Sequence, residues 1–343
     1  MSNILVTGGC GFIGSNFIIH FLNNNPNKSI INVDALTYAG DLLNLIEISD
    51  NPRYIFEKGD ICNRDFIEHL FSKYDIQDVI HLAAESHVDN SIANPDAFMQ
   101  TNIIGTFNLL NVAKEYWMNS PGDYKDKFKN SRFHHVSTDE VYGTLGEEGL
   151  FHETTPYAPN SPYSASKASS DFIVRSYHHT YGMNVVTTNC SNNYGPKQHD
   201  EKLIPVIIRK ALSGEKIPIY GNGKNIRDWL YVLDHCKGIE LAFKKGISGE
   251  TYNVGGRNER TNIYIAEKIC EILDQKVPLN SGKSYAEQIS YVTDRAGHDF
   301  RYAIDATKIE NDLGWKADEN FETGIELTVD WYLNKYKSIL ETV

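Results

Sequence analysis

Residues 3–34 read NILVTGGCGFIGSNFIIHFLNNNPNKSIINVD, and the order of the parts decides the fold. An apolar run of strand length (3–8) meets three glycines, Gly8, Gly11 and Gly14. Phe12, Ile13, Phe17, Ile18 and Phe21 then recur at helical spacing over 12–25. A second strand run, SIINVD (29–34), ends in an acid, Asp34. Without Cβ atoms the chain can turn tightly and bring its backbone against a diphosphate at the helix N-terminus, where free N–H groups and the helix dipole attract anions. The spacing is GxxGxxG rather than the commoner GxGxxG, so the context of strand, glycines, helix, strand and acid carries the inference. Asp34 lies twenty residues after Gly14. An acid there accepts both ribose hydroxyls and repels a 2′-phosphate, which favours NAD over NADP. Cys10, inside the turn, reads as a small space-filling residue.

The same alternation continues. Strand runs at 53–60, 78–84, 132–138 and 184–190 are separated by helical runs at 64–75, 95–117 and 161–182. Pro95 suits a first helical turn and Gly182 a helix end. Strand–helix alternation implies right-handed crossovers and a doubly wound (Rossmann) parallel sheet, an α/β fold. Asp60 and Ile61, at the end of the third strand, are placed to hold an adenine edge. Leu82, Ala83 and Ala84 end the fourth, small enough to let a cofactor lie close. After about residue 190 the pattern changes. Short strands (217–220, 228–231, 251–254, 289–292) mix with helices (203–213, 232–245, 261–274) and Gly/Asn turns. The expected organisation is a dinucleotide-binding domain over 1–190 and a smaller α/β substrate-binding lobe over 191–343, intertwined so that segments can return to the sheet. The stretch 120–131 reads as a polar loop.

Composition excludes several classes. The chain has 343 residues, 41% hydrophobic and 23% charged, with net charge −12. That balance opposes a non-specific nucleic-acid binder, whose affinity comes from Lys and Arg on phosphates. No apolar run approaches the about 18 residues of a membrane span. Five scattered cysteines without a CxxC pair, and no leader-like opening, read as reduced thiols of a cytoplasmic protein. No His, Cys or carboxylate cluster has metal-ligand spacing, so no metal is expected. His81, His87, His134, His135, His178 and His179 read as packing or surface residues.

Two motifs carry chemistry. YSASK puts Tyr163 and Lys167 one helical turn apart on one face. An ammonium beside a phenol lowers its pKa and lets it act as a base. The fifth strand ends in Ser137-Thr138, whose hydroxyls can bond the same substrate oxygen. Directly after them stand Asp139 and Glu140, two like charges that packing does not need.

GxxGxxG, Asp34, Thr138 and Tyr163-x-x-x-Lys167 together resemble the extended short-chain dehydrogenase/reductase family. AAESHVDNSI (83–92), STDEVYG (137–143), YSASKASSD (163–171), TNCSNNYGP (188–196), EKLIP (201–205), PIYGNGKNIRDWLYV (218–232), YNVGG (252–256) and DRAGHDFRYAID (294–305) narrow it to the family's nucleotide-sugar dehydratases. The resemblance runs from residue 3 to about residue 332. It implies dehydration of a dTDP-linked glucose, an early step of deoxysugar (rhamnose-type) nucleotide synthesis. Tyr163, with Thr138 and Lys167, would take the C4 hydroxyl proton while hydride passes to NAD. The resulting ketone acidifies C5–H. Glu140 would then be the base at C5 and Asp139 the acid at the departing C6 hydroxyl. The NAD is reset in each cycle and should stay bound. The resemblance adds Phe12, Ile13, Ala35, Leu36, Thr37, Thr101 and Asn192 to the cofactor site, and Ser86 near both cofactor and sugar. Lys202, Arg227 and Arg295 would meet the diphosphate. Asn193, Leu203, Pro218, Tyr220, Asn262, His298 and Tyr302 would line the nucleotide pocket, with packing an equal reading for Leu203 and Pro218. His199 and Asp200 stand where more apolar residues are expected. A homodimer through helices 95–117 and 161–182 is expected from their surplus apolar residues, Ile103, Ile104, Phe107, Leu109 and Leu110. The alternatives are a 4-epimerase, which the Asp-Glu pair opposes, a dehydratase of a GDP- or UDP-sugar, or a catalytically silent NAD sensor.

Overall fold

The computed structural model describes residues 2–294 and 298–337. Elements β1 (Ser2–Thr7), α1 (Phe12–Asn24), β2 (Lys28–Asp34), β3 (Tyr54–Lys58), α2 (Arg64–Tyr74) and β4 (Ile76–His81) follow the expected alternation. Then come α3 (Val88–Ala93), α4 (Asp96–Phe98) and α5 (Thr106–Trp117). The hairpin β5 (Met118–Ser120) and β6 (Asp123–Tyr124) leads to β7 (Phe133–Thr138), α6 (Pro162–Tyr181) and β8 (Val185–Cys190). The remainder is β9 (Asn192–Tyr194), α7 (Leu203–Leu212), β10 (Ile217–Tyr220), β11 (Ile226–Tyr231), α8 (Val232–Lys245) and β12 (Thr251–Val254). It ends with β13 (Glu259–Thr261), α9 (Asn262–Lys276), β14 (Ile289–Val292), α10 (Thr307–Leu313) and α11 (Phe321–Lys335).

Seven strands form one sheet in the order β3-β2-β1-β4-β7-β8-β12, every pair parallel. Alternate residues of β1 explain the layers. Ile4 and Val6 pack with Phe17 and Phe21 of α1 and Ile239 and Phe243 of α8. Leu5 packs on the other side with Phe71 of α2, Leu109 and Trp117 of α5 and Val174 of α6. Each such buried side chain contributes about 1.5–3 kcal/mol, which is why both faces carry helices. The connections from β1 run to opposite sides, through β2 one way and β4 the other. That reversal opens a crevice at the carboxyl ends of the strands. A smaller lobe packs α7, α9 and α11 around β10 and β11, with sheets β13-β11-β9 and β10-β14.

Four departures from the sequence reading have physical causes. The helix read as 95–117 is not uniform: Met99–Gly105 is π-helical between α4 and α5. Leu109 and Leu110, expected outward, are fully buried under the sheet, while Ile104 and Phe107 stay exposed. The 120–131 loop holds the second strand of the β5–β6 hairpin and a short 3₁₀ turn, Asp126–Phe128. Helix α11 was not anticipated, although Phe321, Ile325, Val329 and Tyr332 recur at helical spacing and its cap residue Asn320 accepts from Thr323 N.

Candidate active site

The glycine turn is built for close approach. Gly8 has φ +71°, and a Cβ there would meet the backbone of Ala83 at 2.7 Å. A Cβ on Gly14 would lie 2.2 Å from the Gly8 carbonyl. Helix α1 therefore starts hard against β1, and its N-cap, Gly11, offers no side-chain cap. The first N–H groups of α1 are left for a ligand. Asp34 is fixed by two backbone donors, Cys10 N at 2.9 Å and Leu36 N at 2.8 Å. Cys10 is buried, its thiol pushed up to about 12 by burial and then by Asp34, an inert filler as read.

One crevice of about 350 Å³ runs from this turn to the end of β7. Gly8, Gly11, Phe12, Ile13, Gly14, Asp34, Ala35 and Thr37 line it, with Asp60, Ile61, Leu82, Ala83, Ala84, Ser86, Thr101 and Asn192. Uncapped helix N–H groups, a cradle without Cβ atoms and a fixed acid suit a dinucleotide diphosphate and ribose. Leu36 is the exception among the expected cofactor residues: it takes φ +54° and packs its side chain on the α1 face of the sheet.

Thr138, Asp139, Glu140, Tyr163 and Lys167 line the other end of the same crevice. Thr138 ends β7 and its hydroxyl accepts Glu140 N at 3.3 Å. That cap turns the chain into a single 3₁₀ turn, Asp139–Tyr142, and separates the neighbouring carboxyls. Asp139 is 2% exposed, and its Oδ2 finds no hydrogen-bond partner among the described residues. Burial and then the Glu140 charge push its carboxyl well above the usual range. Asp139 thus holds its proton to higher pH than an open carboxyl does, beside a partly exposed Glu140.

Helix α6 begins with a capping box between Ser161 and Ser164, which fixes the turn carrying Tyr163. The phenol hydrogen-bonds with Thr138, but burial and then Glu140 hold it well above its ordinary value. The net shift is upward, opposite to the lowering expected from the sequence. At this depth desolvation dominates, and the Lys167 ammonium donates to the Val136 carbonyl at 2.9 Å.

The expected substrate residues divide. Ser86, Asn193 and Lys202 line the crevice, and Lys202 donates to the Ser86 carbonyl at 3.2 Å. Arg227 is buried, stacks 4.3 Å from the Tyr302 ring centre and donates to the Asp299 carbonyl at 2.9 Å. Its charge reaches Asp139, and that of Glu140 reaches Tyr302, so both stand behind the carboxyl pair without lining the crevice. Pro218 and Tyr220 lie on β10, Asn262 opens α9, and His298 pairs with Asp294 at 2.6 Å. These four line the second lobe rather than the crevice. Leu203 packs against the second-lobe core. Arg295 falls outside the described residues.

Sequence reasoning missed the groups that steady this floor. Asn102, in the π-helical stretch, donates to Ser166 Oγ at 2.8 Å and to the Glu85 carbonyl at 3.0 Å, and accepts Glu85 N. It ties the loop after β4 to α6. A π stretch at this point was the available signal, but it is invisible to periodicity. Asp200, which stands where a more apolar residue was expected, accepts from Lys335 at 2.7 Å and Tyr336 at 2.6 Å. His199 lines the crevice edge-on to Tyr38. His81, His134 and His135 are fully buried and held well below 6.5 by burial, neutral packing residues as read.

Residues 5–328 match the GDP-mannose 4,6 dehydratase family, and the chain belongs to it. Its relatives are more particular. A dTDP-glucose 4,6-dehydratase of Xanthomonas campestris pv. campestris (strain B100) is 56% identical over 333 residues, 97% of this chain and 93% of that one. The dTDP-glucose 4,6-dehydratase of Bacillus anthracis, solved with NAD, superposes with a TM-score of 0.86 at 46% identity and 98% coverage of both chains. That of Streptomyces venezuelae, solved with NAD and TYD bound, gives 0.88 at 40% identity, again over 98% of both.

Proposed function

We propose that this chain is an NAD-dependent hydro-lyase that removes water from dTDP-glucose to give dTDP-4-dehydro-6-deoxy-glucose. One observation carries the reading: two adjacent carboxyls, one buried with its pKa raised and one partly exposed, stand with Tyr163 at one end of a dinucleotide crevice. Bound NAD supplies a hydride acceptor that later serves as donor, and a cationic ring that favours the phenolate of Tyr163. Thr138 bonds Tyr163 and holds the C4 hydroxyl beside it. Tyr163 accepts the C4 hydroxyl proton, and Lys167 steadies the phenolate. Glu140 accepts the proton from C5, now acidic beside the C4 ketone. Asp139 gives its proton to the C6 hydroxyl, which leaves as water. Glu140 then returns its proton to C5. Over one turn Tyr163 gains the proton that Asp139 loses, so solvent exchange resets both. Lys202, Arg227, Arg295 and the second-lobe residues are proposed to hold the nucleotide diphosphate.

Incubation with dTDP-glucose, GDP-mannose and UDP-glucose in separate reactions tests the reading. Loss of one water from dTDP-glucose alone is expected. Water loss from GDP-mannose instead, or epimerisation at C4 without water loss, would overturn it.

We also infer a homodimer and a reducing, cytoplasmic setting. Ile104 and Phe107 are 42% and 40% exposed, and Phe172 on the adjoining α6 is 58% exposed, an apolar face suited to a helix pair from a second copy. The five cysteines are free thiols.

A further inference from the structure

Lys167 is a cation held away from water, 4% exposed, with one hydrogen bond to a backbone carbonyl. An ammonium at such depth reverts to its neutral form unless an anion faces it. Burial does pull Lys167 down, and Asp171 and Cys190 act against it. The Cys190 thiol is itself pushed up to about 12 by burial and then by Asp139, so it carries no charge at neutral pH. Asp171 remains. It lies one helical turn after Lys167 on α6, and three donors fix its carboxylate. His135 Nε2 meets Oδ1 at 3.0 Å. Ser137 Oγ and Tyr157 OH donate to Oδ2 at 2.9 and 3.0 Å.

The other titratable groups around Asp171 add no charge. From β7, His135 is neutral, held down by burial and then by Lys167. The phenols of Tyr157 and of Tyr142, in the 3₁₀ turn, are pushed far up by burial. Asn189 of β8, which donates to Tyr157 OH at 3.1 Å, is uncharged. Asp171 itself is raised only to about 6 by burial, against the pull of Lys167, so it is ionised at pH 7. A network of four elements thus surrounds one positive and one negative charge.

We propose that Asp171 is the internal counter-ion of Lys167, a positioning residue that keeps the ammonium charged beside Tyr163 and thereby sets the alkaline limit of the first proton transfer. This rests on the reading of Tyr163 as the C4 base. Ser137, next to Thr138, gives the same carboxylate a second task, holding the end of β7 against α6.

The test follows the rate at which bound NAD is first reduced after mixing with dTDP-glucose, across pH. Asp171→Asn keeps the shape and removes the charge, and its alkaline limb is expected to move down by about one to three pH units. Between the two limbs its rate relative to wild type should fall about tenfold per pH unit. Asp171→Glu, which keeps the charge, should bring the limb back toward wild type. Tyr157→Phe removes a hydrogen bond but no charge and should leave it in place. An Asp171→Asn limb coincident with wild type, or an equal displacement in Tyr157→Phe, would overturn the proposal. If Asp171→Asn does not fold, stability decides. The double variant Lys167→Met/Asp171→Asn should then fold and melt cooperatively, because it buries no unpaired charge. A double variant no more stable than the weaker single would overturn the counter-ion role. Wild-type NAD reduction by Tyr163→Phe would instead sink the underlying reading of the site, a distinct outcome.

Discussion

Asp139 and Glu140 are neighbours in sequence and opposites in environment. Depth raises the pKa of the first while the second has solvent access, and the proposed chemistry needs one acid and one base. Separate substitutions should separate the steps. Glu140→Gln is expected to reduce bound NAD with substrate, seen as NADH absorbance, yet to lose water about 10²–10⁴-fold more slowly and to lose exchange of the C5 hydrogen with deuterium oxide. Asp139→Asn should keep that exchange better than it keeps water loss. Tyr163→Phe should lose both together with NAD reduction. Glu140→Gln dehydrating at the wild-type rate would leave the pair with no role but capping the turn. The same burial makes Asp139 a cost to the fold. Its folded pKa lies well above the 3.8 of an open carboxyl, so between the two values the folded state binds the proton that the unfolded state releases. Its contribution to stability is full below the unfolded value and drains as pH rises toward the folded one. Asp139→Asn removes that loss. The variant is expected to melt above wild type by a margin that widens from about pH 4 toward neutrality, which thermal unfolding at several pH values would show. A constant or shrinking margin would mean that Asp139 is ionised in the folded protein.

At the scale of elements, the segment 196–202 is tied on both sides. Lys197, in the left-handed region at φ +72°, donates to Asn44 O at 2.8 Å and to Glu47 at 2.9 Å in the 3₁₀ turn Leu42–Ile48. Tyr332 of α11 donates to the Gln198 carbonyl at 2.6 Å, and Asp200 holds Lys335 and Tyr336. Between these ties, Gln198, His199, Glu201 and Lys202 line the crevice opposite the loops after β2 and β4. A segment so anchored retains a ligand beneath it. Wild-type protein is expected to purify with NAD bound, needing none added. Asp200→Ala should release it faster, so that chromatography of the denatured protein after desalting finds less NAD per chain. Equal NAD content in both would show that the ties to α11 play no part in retention. Purification without dinucleotide, and activity dependent on added NADP, would contradict the role given to Asp34.

For the whole molecule, the exposed Ile104, Phe107 and Phe172 lie on helices whose other faces carry the Rossmann core and Tyr163. Light scattering at micromolar concentration should give twice the chain mass, and Phe107→Asp should shift it toward the monomer. A monomeric wild type would remove the dimer. The alternation of strands and helices, the glycine turn with Asp34, the Tyr163–Lys167 turn and the Asp139–Glu140 pair were all legible in the chain. Each is a local pattern, set by spacing along a strand or helix, and local spacing survives folding unchanged. The tertiary structure decided what depends on distant neighbours. It placed β12 at the edge of the main sheet beside β8, although 251–254 looks like any short strand of the second lobe. It turned Leu36 and Leu203 to packing, moved Tyr302 and Arg227 behind the carboxyl pair and gave Asp200 a partner far along the chain. It also set the local fields: the Asp139 carboxyl and the Tyr163 phenol raised by burial, and Lys167 in the field of Asp171. Burial and Coulomb fields come from elements that sequence leaves far apart, so residue types named the chemistry and only packing assigned its charges.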